Sequence, residues 1–468
     1  MNLSRILFSV GLSCAFAASL GAETFLVGPT RAYTQIHQVV DLLGPGDLVL
    51  VDGGATYQPV IFPFDNDGAP ADPVVVRGVR NAAGLRPVIS GGTNTVEIQS
   101  NHFVLEGFEI SGGTFRCVYH HSHDVLMRDL YVHDCPAHGL LGADYDSGSL
   151  TLEYSEFARA GSGTNQHMIY MSTDQNEYPG SVFRMRHNYL HETTGGNAVK
   201  SRAERNEIHY NWIEGAQYHL LELIGPDDDA VDPPPGIREH SDVVGNVLIH
   251  KPYVDSSGSF YFVRVGSDIR CDDGDFNSSH GRYRFVNNTF VRTGVGTGSH
   301  VFRPFGFLES IEMSNNVFFT APDGVVGMVR MDDGERCWTG GGTDAQRIGG
   351  SNNWVESGSV VPTAWTGTIS GTYPGFGNVA GFDFRPSAGS GMHNAGTSSP
   401  PSPPGFPFPS PHFPPAYEAP SRAALPGSPA PRRIPSGAID LGAFEWPGSL
   451  FVDGFENGST SRWSLVDP

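Results

Sequence analysis

The sequence predicts an all-β solenoid, and three observations carry that prediction. A short phrase of alternating apolar and polar residues ending in a turn recurs along most of the 468-residue chain. No helix-length amphipathic segment separates its copies. The chain also holds 59 glycines, Asn-rich turns and only 17% charged residues, a composition of dense turns rather than of helices. The clearest copies are residues 105–110, 127–132, 152–157, 185–190 and 208–213, and shorter ones follow at 244–248, 286–290, 314–318 and 351–355. Aligned, they place Phe108, Leu130, Ser155, Asn188, Asn211, Asn246, Asn288, Asn316 and Asn353 in one column, with spacings of 22, 25, 33, 23, 35, 42, 28 and 37 residues. The shortest spacings are one coil of short strands, and the longer ones are the same coil with a loop inserted. The run of asparagines predicts a ladder of side-chain amides bonding between coils roughly 4.8 Å apart.

Taken in order, residues 1–22 read as an export signal: Arg5 in a short charged start, an apolar run from Ile6 to Leu20, and Leu20-Gly21-Ala22 as a small-residue cleavage site. The mature chain is therefore expected to begin near Glu23 and to be secreted, either extracellular or periplasmic. No later stretch approaches the roughly 18 to 20 apolar residues of a membrane span. Removing the signal leaves 28 cations against 50 anions, a net charge of −22. That charge argues against nucleic acid and anionic lipid as partners, and it obliges any anionic substrate to meet a local basic patch.

Residues 23–95 form an N-terminal cap and the first coils. Ile36, Val39, Val40 and Leu43 have helical spacing, Gly44-Pro45-Gly46 stops the helix, and residues 48–51 begin a strand. Residues 96–395 carry the repeat, about nine to eleven coils in all. Residues 396–436 turn Pro- and Ser-rich and read as an extended linker or a strapped-down strand, and 437–468 supply a closing strand and a tail. Four cysteines remain after the signal, which suits two disulfides in an exported protein but leaves three pairings open. Cys271 and Cys337 both lie in long insertions and are the preferred pair, which leaves Cys117 with Cys135. Their spacings do not match a zinc site, and the chain is expected to be a monomer.

A second column carries the chemistry. His167-Met168-Ile169-Tyr170, Asn197-Ala198-Val199-Lys200, His219-Leu220-Leu221-Glu222 and His300-Val301-Phe302-Arg303 share one form: polar, any residue, apolar, and a functional side chain. Strand side chains alternate between faces. If Ile169, Val199, Leu221 and Phe302 point inward, then Tyr170, Lys200, Glu222 and Arg303 point outward, with Arg202 on the face of Lys200. The coil between Glu222 and Arg303, near residues 259–262, is too ambiguous to register. Lys200 stands out further because the chain has only two lysines, Lys200 and Lys251, beside 27 arginines. An amine offers what guanidinium does not, a pKa that burial and like charge can depress until it works as a base.

These columns resemble the right-handed parallel β-helix of pectate-lyase-like proteins over roughly residues 24–395. The phrase Asp440-Leu441-Gly442-Ala443-Phe444-Glu445 resembles one that closes many secreted proteins of this fold, and residues 451–458 resemble a C-terminal phrase of secreted bacterial proteins. Lys200-Ser201-Arg202-Ala203, with His167-Met168-Ile169-Tyr170 one coil earlier, resembles a subgroup whose related polysaccharide lyases use a Tyr and a Lys as acid and base. The resemblance implies that Tyr170 is the acid and Lys200 the base in β-elimination on an acidic, uronate-containing polysaccharide. Arg202 would grip the carboxylate, for which a two-pronged donor is suited. Arg202 and Arg205 would depress the Lys200 pKa, and His167, Asn197, His219, Glu222, Arg205 and Arg303 would line the substrate site. Glu222 opposes this, because a close carboxylate stabilises the charged amine.

Calcium-dependent alginate and dermatan lyases of the same fold share Lys-Ser, but they place two acidic ligands where this chain has Thr193 and Gly195. Their catalytic Arg would fall near Leu223. No cofactor is therefore expected, and calcium has no defined site. Asp227-Asp228-Asp229 and Asp272-Asp273-Gly274-Asp275 lack the spacing of a calcium loop, and His120, His121, His123, His133 and His138 read as turn and surface residues rather than a metal cluster. Two other functions stay open on the sequence: a noncatalytic glycan-binding or surface-structural β-helix, and a glycoside hydrolase, although no paired-Asp phrase of the latter is evident.

Overall fold

Three long parallel sheets wind around one apolar interior in the computed structural model, which describes residues 21–227, 236–250, 261–293, 300–320, 326–423, 429–433 and 438–447. The export signal to Leu20, Asp228 and Asp229, prolines 233–235, Lys251, residues 259–260 and the 451–458 phrase lie outside these residues. Among the described residues, sheet 1 has ten strands, from Val60–Phe62 to Gly327–Val329. Among the same residues, sheet 2 has twelve, from Thr24–Val27 to Ile348–Ser351, and sheet 3 has twelve, from Thr56–Tyr57 to Ile369–Gly371. Each regular coil gives one strand to each sheet in turn, as Val199–Arg202, Arg205–His209 and Trp212–Glu214 do. Among the described residues ten coils give a strand to all three sheets, within the expected nine to eleven, and the cap and the Ile369–Gly371 strand add further rungs to sheets 2 and 3 only.

The interior follows from strand alternation. Ile169, Val199, Leu221, Val263 and Phe302 occupy one register position on successive rungs of sheet 1, and all are fully buried. The neighbouring positions face outward. A one-residue slip would exchange these two sets, so the apolar column fixes the register of the polar one.

The asparagine ladder forms at the tight turn between sheets 2 and 3. Asn188 Oδ1 accepts from the Ser155 amide (2.9 Å), Asn211 Oδ1 from Asn188 N (3.0 Å), Asn246 Oδ1 from Asn211 N (2.8 Å) and Asn288 Oδ1 from Asn246 N (3.0 Å); Asn316 and Asn353 continue the series. Each side-chain amide also donates to a carbonyl one rung back, as Asn246 Nδ2 does to Ile208 O (2.8 Å). The residue before each ladder position lies in the left-handed region, among them Tyr154, His187, Tyr210 and Gly245. That conformation turns the chain through the corner and leaves backbone donors that a short polar side chain satisfies, an Asn amide on most rungs and the Ser155 hydroxyl for Leu130 N (3.1 Å).

The expected cap helix is two 3₁₀ turns, Ile36–Gln38 and Val40–Leu42. A segment this short cannot repay α-helix nucleation, and Gln38 Oε1 instead accepts from the amides of Thr34 (2.7 Å) and Gln35 (3.0 Å). The four apolar positions are buried as their spacing requires. The disulfides are Cys117–Cys135 and Cys271–Cys337.

Past Ala395 the Pro-rich segment straps across sheet 2. Arg205 donates to the carbonyls of Pro409 and Ser410 (both 3.0 Å), and the His412 amide donates to Asp242 (2.7 Å). The closing phrase then packs against the ladder, where Ala443 N donates to Thr289 Oγ1 (2.9 Å) and Asn287 Nδ2 to Asp440 O (2.9 Å). Gly442 has φ +85°, and a Cβ there would sit 2.6 Å from Thr289 Oγ1, so both conformation and space require glycine.

Candidate active site

Sheet 1 places Tyr170, Lys200, Glu222, Arg264 and Arg303 at one outward register position on consecutive rungs. Tyr170, Lys200 and Glu222 are neighbours as the sequence predicts. The rung that the sequence left unregistered is Val263–Gly266, and it inserts Arg264 between Glu222 and Arg303.

Lys200 Nζ lies 3.8 Å from Glu222 Oε2 and 3.5 Å from Asp268 Oδ2, and its side chain is 12% exposed. Glu222 does not hold the amine tightly, because it is claimed elsewhere. Arg264 pairs with its Oε1, and Asn197 Nδ2 donates to its Oε2 at 2.5 Å. Burial pushes the Lys200 amine below its ordinary value. Glu222 and Asp268 pull it back, Arg202 and Arg264 reinforce the depression, and the net direction is down. Burial would raise the Glu222 carboxyl, but Arg264 and then Lys200 hold it well below the usual carboxylate range.

Tyr170 lies under Lys200, its ring centroid 5.3 Å from Nζ. Its hydroxyl oxygen accepts from Arg202 Nε at 3.0 Å, so its own hydrogen is directed to another acceptor. Burial pushes this hydroxyl up to about 12, keeping it protonated across the physiological range.

Arg202 departs from the carboxylate-gripping role expected of it. It is 2% exposed, and besides Tyr170 it donates to Gly225 O (2.7 Å), Pro226 O (3.1 Å) and Asp268 Oδ2 (2.5 Å). Those bonds leave the guanidinium with no edge facing solvent.

His167, Asn197 and His219 form a column two residues ahead of the strand starts at Ile169, Val199 and Leu221, and all are buried. Asn197 N donates to His167 Nδ1 (3.0 Å), and Asn197 Oδ1 accepts from His219 N (2.9 Å). Burial lowers the His167 imidazole to about 3 and sends His219 well below its ordinary value, so both are neutral. His167 touches the outward column directly, edge-on to the Tyr170 ring with centroids 5.6 Å apart, and Asn197 does so through its bond to Glu222.

Arg303 is in the column, clamped by Glu335 (2.6 Å) with its guanidinium 5.0 Å from the Tyr261 ring centroid. Arg205 is not in the column. It belongs to sheet 2, bonded to Glu207 and the strap, and the charges that chiefly shift Lys200 are others, Glu222, Arg202, Asp268 and Arg264. The chain turns a corner between Arg202 and Arg205, so three residues of sequence separation become two different sheets.

Sequence reasoning missed Asp268 and Arg264. Asp268 sits in the insertion closed by Cys271–Cys337, two residues after the strand end at Gly266, and loop residues carry no periodicity that would register them. Arg264 had a signal in Val263-Arg264-Val265, an alternation of the right form.

The five-histidine cluster is dispersed: His120 is buried against Ser122, His133 lies between Glu109 and Asp134, and His138 stands beside His167. Among the described residues, no three His, Cys, Asp or Glu side chains converge as a metal site.

The structure superposes on the pectate lyase Pel9A with a TM-score of 0.50 and 13% identity, covering 91% of this chain and 96% of that one. The chain has the right-handed parallel β-helix fold of pectate-lyase-like proteins. An alginate lyase from Paenibacillus sp. strain FPU-7 matches less closely, with a TM-score of 0.39 and 12% identity over 75% of this chain and 98% of that one. No family model and no curated protein sequence matches the chain. At such identity the likeness concerns the fold, and the chemistry must be argued from the site.

Proposed function

We propose that the protein is a secreted polysaccharide lyase that cleaves an acidic, uronate-containing glycan by β-elimination. One arrangement carries the reading: a largely buried lysine, which burial pushes below its ordinary pKa, stands over a tyrosine whose hydroxyl oxygen is already occupied by Arg202. Lys200 Nζ takes the C5 proton, the electron pair forms the C4–C5 double bond, the C4–O4 bond breaks, and Tyr170 protonates the departing O4. Arg202 positions Tyr170 rather than gripping substrate. The cationic edge for the C6 carboxylate passes to Arg264 and Arg303, which follow Lys200 and Glu222 along the column.

Glu222 and Asp268 beside Lys200 favour a second reading, a noncatalytic glycan-binding β-helix in which the amine stays charged. Incubation with alginate, pectate, glucuronan and glycosaminoglycans, followed by absorbance of unsaturated chain ends, separates the two. A lyase gives product on one of these polymers, and Lys200→Ala lowers the rate by about 10²- to 10⁴-fold. Activity surviving that substitution removes Lys200 as the base, and no product on any polymer favours the binding reading.

A further inference from the structure

Sheet 2 carries a second outward column, Arg77, Glu106, Arg128, Glu153, Arg186 and His209, one residue per rung. Its early members satisfy one another. Arg77 and Arg128 both bond Glu106, and Arg128 lies 4.0 Å from Glu153. Its last members do not. Arg186 reaches Glu207 only at 3.9 Å and its buried Nε has no partner, while His209 is 4% exposed with Nε2 unpartnered.

Beside this column the corner residues Tyr154, His187 and Tyr210 stack, with centroids 5.0 Å and 5.3 Å apart at interplanar angles of 10° and 14°. The strap roofs the arrangement: His412 stacks on His209 at 4.6 Å, Tyr210 Oη meets His412 Nε2, and Ala416 N donates to Tyr210 Oη (2.8 Å).

Between strap and sheet lies a cavity of about 380 Å³, bounded by Tyr154, Arg186, His209 and His412. A neighbouring cavity of about 390 Å³, bounded by Arg77, Arg128 and Asp129, shares Tyr154 as a wall. Each is the size of a small-molecule site, in the range of about 300 to 1,000 Å³.

We propose that these two cavities form a binding track for a neutral sugar chain, on a different sheet from the Lys200 column and with a different preference. Charges along the track alternate and cancel, so it offers no net attraction to a polyanion. It offers instead fixed carboxylates and guanidiniums that pair with hydroxyls, an aromatic ring at Tyr154 on which the apolar face of a sugar can pack, and two buried nitrogens lacking one hydrogen bond each. A hydroxyl both donates and accepts, so it satisfies Arg186 Nε and His209 Nε2 in either tautomer. An enzyme for acidic glycan would then also hold the neutral chains that accompany its substrate.

Affinity electrophoresis of the full chain through gels containing galactan, xylan or glucomannan tests this, with pectate as the acidic control. At least one neutral polymer is expected to retard the protein. Tyr154→Ala and Arg186→Ala should each weaken the retardation about tenfold, the loss of one stacking or hydrogen-bonding contact. Lys200→Ala should still be retarded, so loss of lyase activity and loss of this site are separable. Thermal melts check folding. If Tyr154→Ala melts early, Arg186→Ala decides, because that side chain is 38% exposed. Retardation by pectate alone, by none of the neutral polymers, or undiminished in both variants overturns the proposal.

Discussion

Asp268→Asn is the substitution that most sharply tests whether Lys200 works as a base. Asp268 Oδ2 lies 3.5 Å from Lys200 Nζ, and its side chain is 23% exposed. With an effective dielectric constant of about 40, between the near-surface value of about 20 and that of water, unit charges at this distance interact by about 2 kcal/mol. Removing the anion therefore lowers the Lys200 pKa further, by between about one and two units. Asn is isosteric and keeps an oxygen for Arg202 to bond. If Lys200 acts unprotonated, activity rises with pH as the amine loses its proton. The acid limb of the kcat/KM profile should then move down by the same one to two units in the variant. If Lys200 acts as a cation, the amine's titration instead ends activity at high pH, and it is the alkaline limb that moves down. The profile is read from unsaturated product formed between about pH 5 and 11. An acid limb that stays in place, or moves up, refutes the assignment of the base.

Other consequences follow from the same structure. Tyr170 is held protonated up to about 12, so no loss of activity from its ionisation is expected below that pH, and Tyr170→Phe should lower kcat by about 10²-fold or more with the melting temperature little changed. Asn246→Ala leaves the Asn211 backbone amide and the Ile208 carbonyl without their ladder partners; a loss of about 3 kcal/mol is expected, read as a lower urea midpoint at unchanged slope. His120 and His167 are neutral in the fold with pKa values lowered to about 3 from an ordinary 6.5. The unfolded chain therefore binds more protons than the folded one between these limits, and stability, complete above about pH 6.5, should fall as the pH drops toward 3. Denaturant midpoints measured at pH 7, 5 and 4 check this.

The solenoid was legible because it rests on periodic quantities. Inward apolar and outward polar side chains alternate along every strand, and the buried corner amides recur once per coil, so Asn188 to Asn353 and the Tyr170–Lys200–Glu222 neighbourhood could be read from spacing alone. Tertiary structure decided what periodicity does not encode. The corner after Arg202 sends Arg205 to another sheet, and the insertion after Gly266 brings Asp268 back over Lys200 from 68 residues away. Whether an arginine grips substrate or is consumed by neighbouring carbonyls is a matter of the loop that covers it, and Gly225 and Pro226 settled that for Arg202. Likewise, the sequence left the Pro-rich segment as either an extended linker or a strapped-down strand, and the structure laid it over sheet 2 to close a cavity there. Local alternation is a property of the strand itself, whereas loop contacts depend on which distant groups the coil stacking brings together.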